Sequence, residues 1–358
     1  MIMKKRMISL IVPAALLLAG CGGSDSSSKA ESAASSAASS AASSAVTESK
    51  ASSPSNASSV AGFKVDGTKL LDAKGNEFVM RGVNHAHCWY KGDDQTALAA
   101  IDKTGANCVR LVLADGVQWD KDSVESINAL TDKCKEYQMV AVLEVHDATG
   151  RNDIDDLQKA ADFWIEMKDA LIGKEDFVIL NIANEWIGDW KSKTWAEGYT
   201  TVIPQLREAG IKNTIMVDSA GWGQYGKSIK EKGMEVFESD PDRNTMFSVH
   251  MYGSAGKNEK TIEENLTGAT DQGLCVCVGE FGYTHSDGDV DEGYIMEYCD
   301  ANSIGWMGWS WKGNSGGVEY LDLSYDWEGT QLSPDWGETV VNGANGIKAT
   351  SKTCSVFG

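Results

Sequence analysis

Eight short apolar runs with the reading of strands recur along this sequence, with segments of helical spacing between most of them, and that alternation constrains the fold more than any other feature. The runs cover residues 78–84, 107–113, 138–146, 177–184, 213–218, 245–250, 274–280 and 304–311. Runs this rich in Val, Ile and Leu suit strands buried on both faces, as parallel sheets require. Helical patterns fall at 97–104, 124–137, 155–171, 195–209, 261–272 and 289–302. Strand ends recur at about 30 to 40 residues, the length of one strand-helix unit with its loops. Eight such units predict an α/β chain folded as a single (β/α)8 TIM barrel. A doubly wound open sheet would need a phosphate-binding glycine loop after the first strand, and Gly82-Val83-Asn84-His85 is not one. Ahead of the barrel, residues 63–72 alternate about an Asp66-Gly67 turn, with a second turn at Lys74-Gly75-Asn76. This predicts a short N-terminal β-hairpin, placed to plug the barrel's bottom.

A parallel barrel gathers the C-terminal ends of its strands at one mouth. Arg110 lies in the second run, His146 ends the third, and Asn184 and Glu185 end the fourth. His250 and Tyr252 belong to the sixth, Glu280 to the seventh and Trp309 to the eighth. A lone histidine is usually structural, and a polar pair after a strand is usually a cap or a turn. The whole set, with two carboxylates on nearly opposite strands, is what glycoside hydrolysis needs: one carboxyl to protonate the leaving oxygen, the other to attack or to position water. Arg110 would hold the attacking carboxylate ionised, and burial beside a like charge would raise the proton affinity of the acid. Asn184 would donate to the sugar 2-hydroxyl, and aromatic rings would supply a stacking platform.

Other residues near the strand ends have plainer readings. His85, His87 and Trp89 either line a sugar subsite or pack the barrel rim. Asp218 reads as a loop-orienting carboxylate. His285 with Asp287 and Asp289 forms a polar loop rather than a metal site. No metal and no cofactor is expected.

The formal net charge of -20 over 358 residues excludes nucleic acid and an anionic membrane surface as partners, since both select clustered Lys and Arg. A neutral ligand fits better. Twelve tryptophans are enough to supply sugar-stacking faces as well as core. Of eight cysteines, seven follow Cys21, and they show no Cys-x-x-Cys pair. Cys275 and Cys277 share one face of a strand and read as small buried apolar residues.

The N-terminus has a basic start at Lys4, Lys5 and Arg6, an apolar stretch over residues 7–18, and Leu18-Ala19-Gly20-Cys21, which resembles a bacterial lipobox. The expected organisation is a lipoprotein signal peptide at 1–20, a lipidated Cys21 opening a Ser/Ala-rich disordered linker at 21–61, and a catalytic barrel at 62–358. The linker's flexible-chain reach is roughly 35 Å for about 40 residues. An extracellular, cell-surface protein follows, attached to the membrane only through its lipid, and a monomer is expected.

Arg110, His146, Asn184-Glu185, His250, Tyr252, Glu280 and Trp309 resemble, in order and strand placement, the shared residue set of glycoside hydrolase family five. Longer strings narrow the resemblance: residues 81–87, 143–151, 219–225 and 309–314 are similar to the bacterial endo-β-1,4-mannanases of that family. The resemblance implies a retaining double displacement on β-mannan, with Glu185 as acid/base and Glu280 as nucleophile. It also implies that Arg110 and Tyr252 contact Glu280, that His250 lies beside Glu185, and that His146 and Asn184 bind the sugar at the cleavage point. Trp309 is expected to form the platform there, with Trp311 sharing or taking that role. An endo-β-1,4-glucanase of the same family is the alternative, and a non-catalytic glycan-binding lipoprotein a third reading that the paired glutamates disfavour.

Overall fold

Each apolar run becomes a strand of one closed parallel sheet in the structure, a computed structural model that describes residues 62–358. The expected signal peptide, Cys21 and the Ser/Ala linker lie outside the described residues. The barrel strands are β3 (Arg81–His85), β4 (Cys108–Leu113), β5 (Val140–Val145), β6 (Val178–Asn181), β7 (Ile215–Asp218), β8 (Thr245–Met251), β9 (Val276–Phe281) and β12 (Gly305–Gly308). They pair in sequence order, and β12 closes onto β3. The expected (β/α)8 barrel is thus observed.

The hairpin is also observed, as β1 (Lys64–Asp66) against β2 (Lys69–Leu71). It sits under the barrel, where the Val65 amide donates to Asn244 Oδ1 at 3.0 Å and Asn244 Nδ2 donates to the Phe63 carbonyl at 3.0 Å. Phe63, Leu70 and Phe78 cap an apolar plug of inward side chains that includes Cys108, Val142, Ile179, Met216, Met246, Cys277 and Met307. The outward side chains, among them Leu111, Leu143, Leu180, Phe247 and Val278, join the larger core beneath the helices. Because a strand repeats every two residues, the next inward step above the plug carries Arg110 over Cys108, Glu144 over Val142, Asn181 over Ile179 and Asp218 over Met216. One periodicity therefore builds a dry floor and a polar layer above it.

The surrounding helices are α1 (Asp94–Lys103), α2 (Val124–Glu136), α3 (Ile154–Glu166), α4 (Ser192–Glu208), α5 (Lys227–Ser239), α6 (Glu259–Thr270) and α7 (Glu292–Ala301), with the short α8 (Gly337–Asn342) and α9 (Ile347–Thr350) near the C-terminus. Several start where a short polar side chain binds a free amide: Ser123 caps α2, Asp153 α3, Asn258 α6 and Asp291 α7. Helix α5 has no counterpart among the expected helical segments. Its fully buried apolar residues are only Ile229 and Val236, and Gly233 interrupts it.

A two-residue ribbon, β10 (Thr284–His285) with β11 (Gly288–Asp289), follows β9. Within it Asp287 accepts from the Gly253 and Ser254 amides at 3.0 and 2.8 Å, which pins this polar loop to the end of β8. All seven cysteines among the described residues are free and buried, so Cys275 and Cys277 pack as expected.

Candidate active site

Arg110 is the hub of the mouth. Its Nη1 donates to Glu280 Oε1 at 2.8 Å and to Asn84 Oδ1 at 3.0 Å, while Nη2 donates to Asn184 Oδ1 at 2.7 Å and Asn181 Oδ1 at 2.8 Å. Asp218 Oδ2 is 3.4 Å away and Glu144 Oε1 3.7 Å. The guanidinium is wholly buried, and a buried cation is tolerable only when its fork is satisfied in this way.

Glu280 reaches that fork through an irregularity in the sheet. Strands β8 and β9 pair Val249 with Val278 and then His250 with Glu280, so Gly279 is one extra residue on β9. Strict alternation that turns Cys277 inward would turn Glu280 outward, and the bulge reverses this. Only glycine fits there, because a Cβ on residue 279 would lie 2.2 Å from Ser248 Oγ. The second oxygen of Glu280 accepts from the Tyr252 hydroxyl at 2.9 Å.

Glu185 stands four residues beyond the end of β6, in a left-handed backbone conformation with φ of 44°. Such a conformation costs a non-glycine residue on the order of 1 kcal/mol or more and needs outside support. The support comes from Asp218 Oδ2, which accepts the Glu185 amide at 3.0 Å, and from the Gly150 amide, which donates to the Glu185 carbonyl at 2.9 Å. Glu185 Oε1 accepts from His250 Nδ1 at 2.7 Å. One oxygen each of Glu185 and Glu280 and a ring nitrogen of His250 all lie within 4.8 Å of one another. That spacing falls short of the roughly 6.5–9.5 Å between carboxyl groups that inverting hydrolysis uses to admit its attacking water.

Burial and neighbouring charges shift several groups of the network. Burial, and then the charge of Glu280, raise the pKa of Glu185 above the usual carboxylate range, against a lowering by His250. Burial would depress the pKa of His250, but Glu280 and Asp218 together raise it well above its ordinary value. Burial likewise opposes a charge on His146, yet Glu144, which accepts from His146 Nδ1 at 2.9 Å, raises its pKa. Asp218 is held low despite its burial, by His250, by Arg110 and by the Glu185 amide.

The expected residues Arg110, His146, Asn184, Glu185, His250, Tyr252 and Glu280 therefore meet in one network. Asn184 Nδ2 also donates to Thr149 Oγ1 at 2.9 Å, which fixes the amide's orientation. Trp309 is half-buried at the mouth, its ring stacked near His146 with centroids 5.7 Å apart, and its Nε1 donates to Asn314 Oδ1 at 2.9 Å. Trp89 packs edge-on against Trp119 and His146 at the same wall.

One expectation fails, and one open choice is decided. Trp311 is not a platform: it is 1% exposed, its Nε1 donates to the Trp327 carbonyl at 3.1 Å, and its six-membered ring lies against Gly329. Strand β12 ends at Gly308, so the alternation that would place residues 309 and 311 on one face has already stopped. Of the two readings of His85, a sugar subsite or packing at the barrel rim, the structure takes the second. His85 is wholly buried, with Nε2 2.9 Å from Asp94 Oδ1 and its ring edge-on to Trp327. His87 is likewise buried, between Asp94 and Asp122 at 2.8 and 3.0 Å.

Sequence reasoning missed Glu144, Asn181 and Trp119. The first two could have been found by carrying the period-two register of β5 and β6 one step above the apolar plug. Asp218 has the orienting role expected of it, holding the amide of Glu185.

A family profile described as Cellulase (glycosyl hydrolase family 5) matches residues 71–315. The chain is 55% identical over 297 residues to a mannan endo-1,4-beta-mannosidase of Salipaludibacillus agaradhaerens, covering 83% of this chain and 96% of that one. Among solved structures it is similar to the β-mannanase from Thermomonospora fusca, with a TM-score of 0.79 and 42% identity over 83% of this chain and 100% of that one. The same enzyme's mannohexaose complex superposes with a TM-score of 0.78 and 40% identity, at the same coverage. With a closed barrel, two close carboxylates at its mouth and these relatives over most of its described length, the chain belongs to glycosyl hydrolase family 5.

Proposed function

We propose that this protein is an endo-acting β-1,4-mannanase that hydrolyses mannan, galactomannan and glucomannan with retention, through a covalent glycosyl-enzyme. The observation that carries the mechanism is the close approach of Glu185 and Glu280, one on a histidine and the other on an arginine and a tyrosine. Glu280, aligned by Arg110 and Tyr252, attacks the anomeric carbon while Glu185 gives its proton to the departing glycosidic oxygen. The C–O bond to the leaving sugar breaks as the bond to Glu280 forms. In the second step Glu185 takes a proton from water, whose oxygen attacks the same carbon and releases Glu280. Asn184 and His146 face the sugar at the cleavage point, and Trp309 stacks on it. The relatives named for mannan, and the mannohexaose bound to a similar barrel, support β-mannan as the substrate.

Reducing-sugar release from galactomannan, glucomannan and carboxymethylcellulose, measured side by side, tests the substrate. Preference for carboxymethylcellulose overturns the mannanase reading in favour of a glucanase. Roles are tested with azide: Glu185→Ala should yield a β-glycosyl azide and Glu280→Ala an α-glycosyl azide. We also propose attachment at the cell surface through a lipid on Cys21, supported by the lipobox-like Leu18-Ala19-Gly20-Cys21. Unchanged detergent partitioning of Cys21→Ala overturns it.

A further inference from the structure

We propose that His87 is a positioning residue that works as a cation, clamping together the bases of the two loops that carry Trp89 and Trp119 to the wall beside His146. His87 opens the single 3-10 turn His87–Trp89 after β3, so it shares that turn with Trp89. Its Nδ1 lies 2.8 Å from Asp94 Oδ2, in the first turn of α1, and its Nε2 lies 3.0 Å from Asp122 Oδ1, in the loop before α2. A neutral imidazole has one N–H and one bare nitrogen, and here the bare nitrogen would face a carboxylate. Only the doubly protonated ring satisfies both partners, through charge-assisted hydrogen bonds.

Burial opposes a charge on His87, but hydrogen bonds to Asp122 and Asp94, and then their charges, raise its pKa to about 9. Burial also opposes a charge on each carboxyl group, yet His85 and His87 hold Asp94 below its ordinary value, and His87 and Lys91 do so for Asp122. His85 of β3 shares Asp94 Oδ1 at 2.9 Å, and Lys91 donates to Asp122 Oδ1 at 2.7 Å. From α2, Asp132, Lys133 and Glu136 line, together with His87, a cavity between α1 and α2. That cavity gives the ring a route for exchanging its proton with solvent.

Asp122 closes the second loop at its base. Its Oδ2 accepts the Ala114 amide at 3.0 Å, and its own amide donates to the Ala114 carbonyl at 2.9 Å. The residues between them carry Trp119, whose ring centroid lies 5.2 Å from that of Trp89 and 5.9 Å from that of His146. Trp89 in turn meets His146 at 5.1 Å. The β3–β4 ladder ends at the His85–Leu111 pair, so the sheet itself does not fix these two loops to each other. A buried ionic cluster adds little stability over apolar packing of the same shape; what His87 adds is a fixed spacing between the two tryptophans. The Trp119 loop has a second anchor in Asp147, which accepts the Asp115 and Trp119 amides at 3.1 and 3.3 Å. Loss of the His87 proton therefore loosens the wall without unfolding the loop.

The inference rests on the mannanase reading, since the wall it holds belongs to the mannan site. Its test is the Kd of mannohexaose, read by tryptophan fluorescence from about pH 6 to about pH 10 in the non-cleaving Glu280→Ala protein, alone and combined with His87→Gln or Asp122→Asn. With His87 present, affinity should be level up to about pH 8 and fall about tenfold through about pH 9, the order of one lost aromatic contact. His87→Gln should bind about tenfold more weakly at neutral pH and show no further fall near pH 9. Asp122→Asn removes one of the two carboxylates that raise the His87 pKa, so its fall should come at lower pH. Equal affinity with and without His87→Gln at neutral pH, or a fall near pH 9 that survives the substitution, overturns the clamp and leaves a histidine of structural role only. If His87→Gln does not fold, Asp122→Asn decides, and a fall still centred near pH 9 overturns the clamp. A Glu280→Ala protein that binds no mannohexaose at any pH overturns instead the function on which the clamp rests.

Discussion

His250 Nδ1 lies 2.7 Å from Glu185 Oε1 and 3.6 Å from Glu280 Oε2, so one buried imidazole serves both carboxylates. Glu280 and Asp218 hold its pKa well above the ordinary value, and its hydrogen bond and then its charge are the main influences opposing the burial that raises Glu185. Removing it in His250→Asn should raise the Glu185 pKa further. The basic limb of kcat/KM on galactomannan, which reports loss of the acid's proton, should therefore move to higher pH. A limb that stays put or moves down contradicts the arrangement. The stability effect has its own sign. A histidine whose folded pKa exceeds its ordinary 6.5 contributes fully below about pH 6.5 and loses that contribution as pH rises through the elevated folded value. The gap in unfolding free energy between wild type and variant should narrow across that range.

Arg110 binds Glu280, Asn84, Asn181 and Asn184 at once, a set that needs a planar fork. The ammonium of Arg110→Lys keeps the charge but cannot span these four acceptors. Leaving buried acceptors unpaired should cost about 3 kcal/mol, measurable as a lower urea midpoint. With Glu280 no longer aligned, kcat should fall by about a hundredfold or more. A variant with near-normal kcat would show that the fork is structural only.

The strands and their convergence were legible in the sequence because apolar runs bounded by polar ends leave few other folds. Less legible was everything that depends on how a side chain turns once its strand stops. Trp311 looked equivalent to Trp309 by alternation, but β12 ends at Gly308, and Trp311 turns into the core while Trp309 stays at the mouth. The burial of His85 and His87 depends on Asp94 and Asp122, carboxylates supplied by α1 and by the loop before α2 that no local pattern links to them. Glu280 was found by its position at a strand end, yet its inward turn depends on Gly279, and a glycine inside a strand run is the signal that was available for a bulge.

Separate outcomes are expected for the two tryptophans. Trp309→Ala should fold normally and raise KM on mannan, because its ring is partly exposed at the mouth. Trp311→Ala empties a core position and should cost about 3–5 kcal/mol, seen as a marked drop in Tm, with KM unchanged at temperatures where the variant stays folded. An unaltered Tm for Trp311→Ala would contradict its burial.

The bulge at Gly279 offers a test of how the sheet delivers Glu280. In Gly279→Ala the new methyl would meet Ser248 Oγ at 2.2 Å and His250 Nε2 at 3.1 Å. Relief of that contact pushes β9 away from β8 and takes Glu280 off the Arg110 fork, so kcat should fall by about a hundredfold with a modest loss of stability. Ser248 Oγ is buried and makes no hydrogen bond among the described residues, so removing it sacrifices no polar contact there. The double variant Ser248→Ala with Gly279→Ala should therefore recover much of the lost kcat, although Ser248→Ala alone has little effect. Such non-additivity is expected only of residues in contact, and a double variant no better than Gly279→Ala would place the fault in the β9 backbone instead of at the Ser248 hydroxyl.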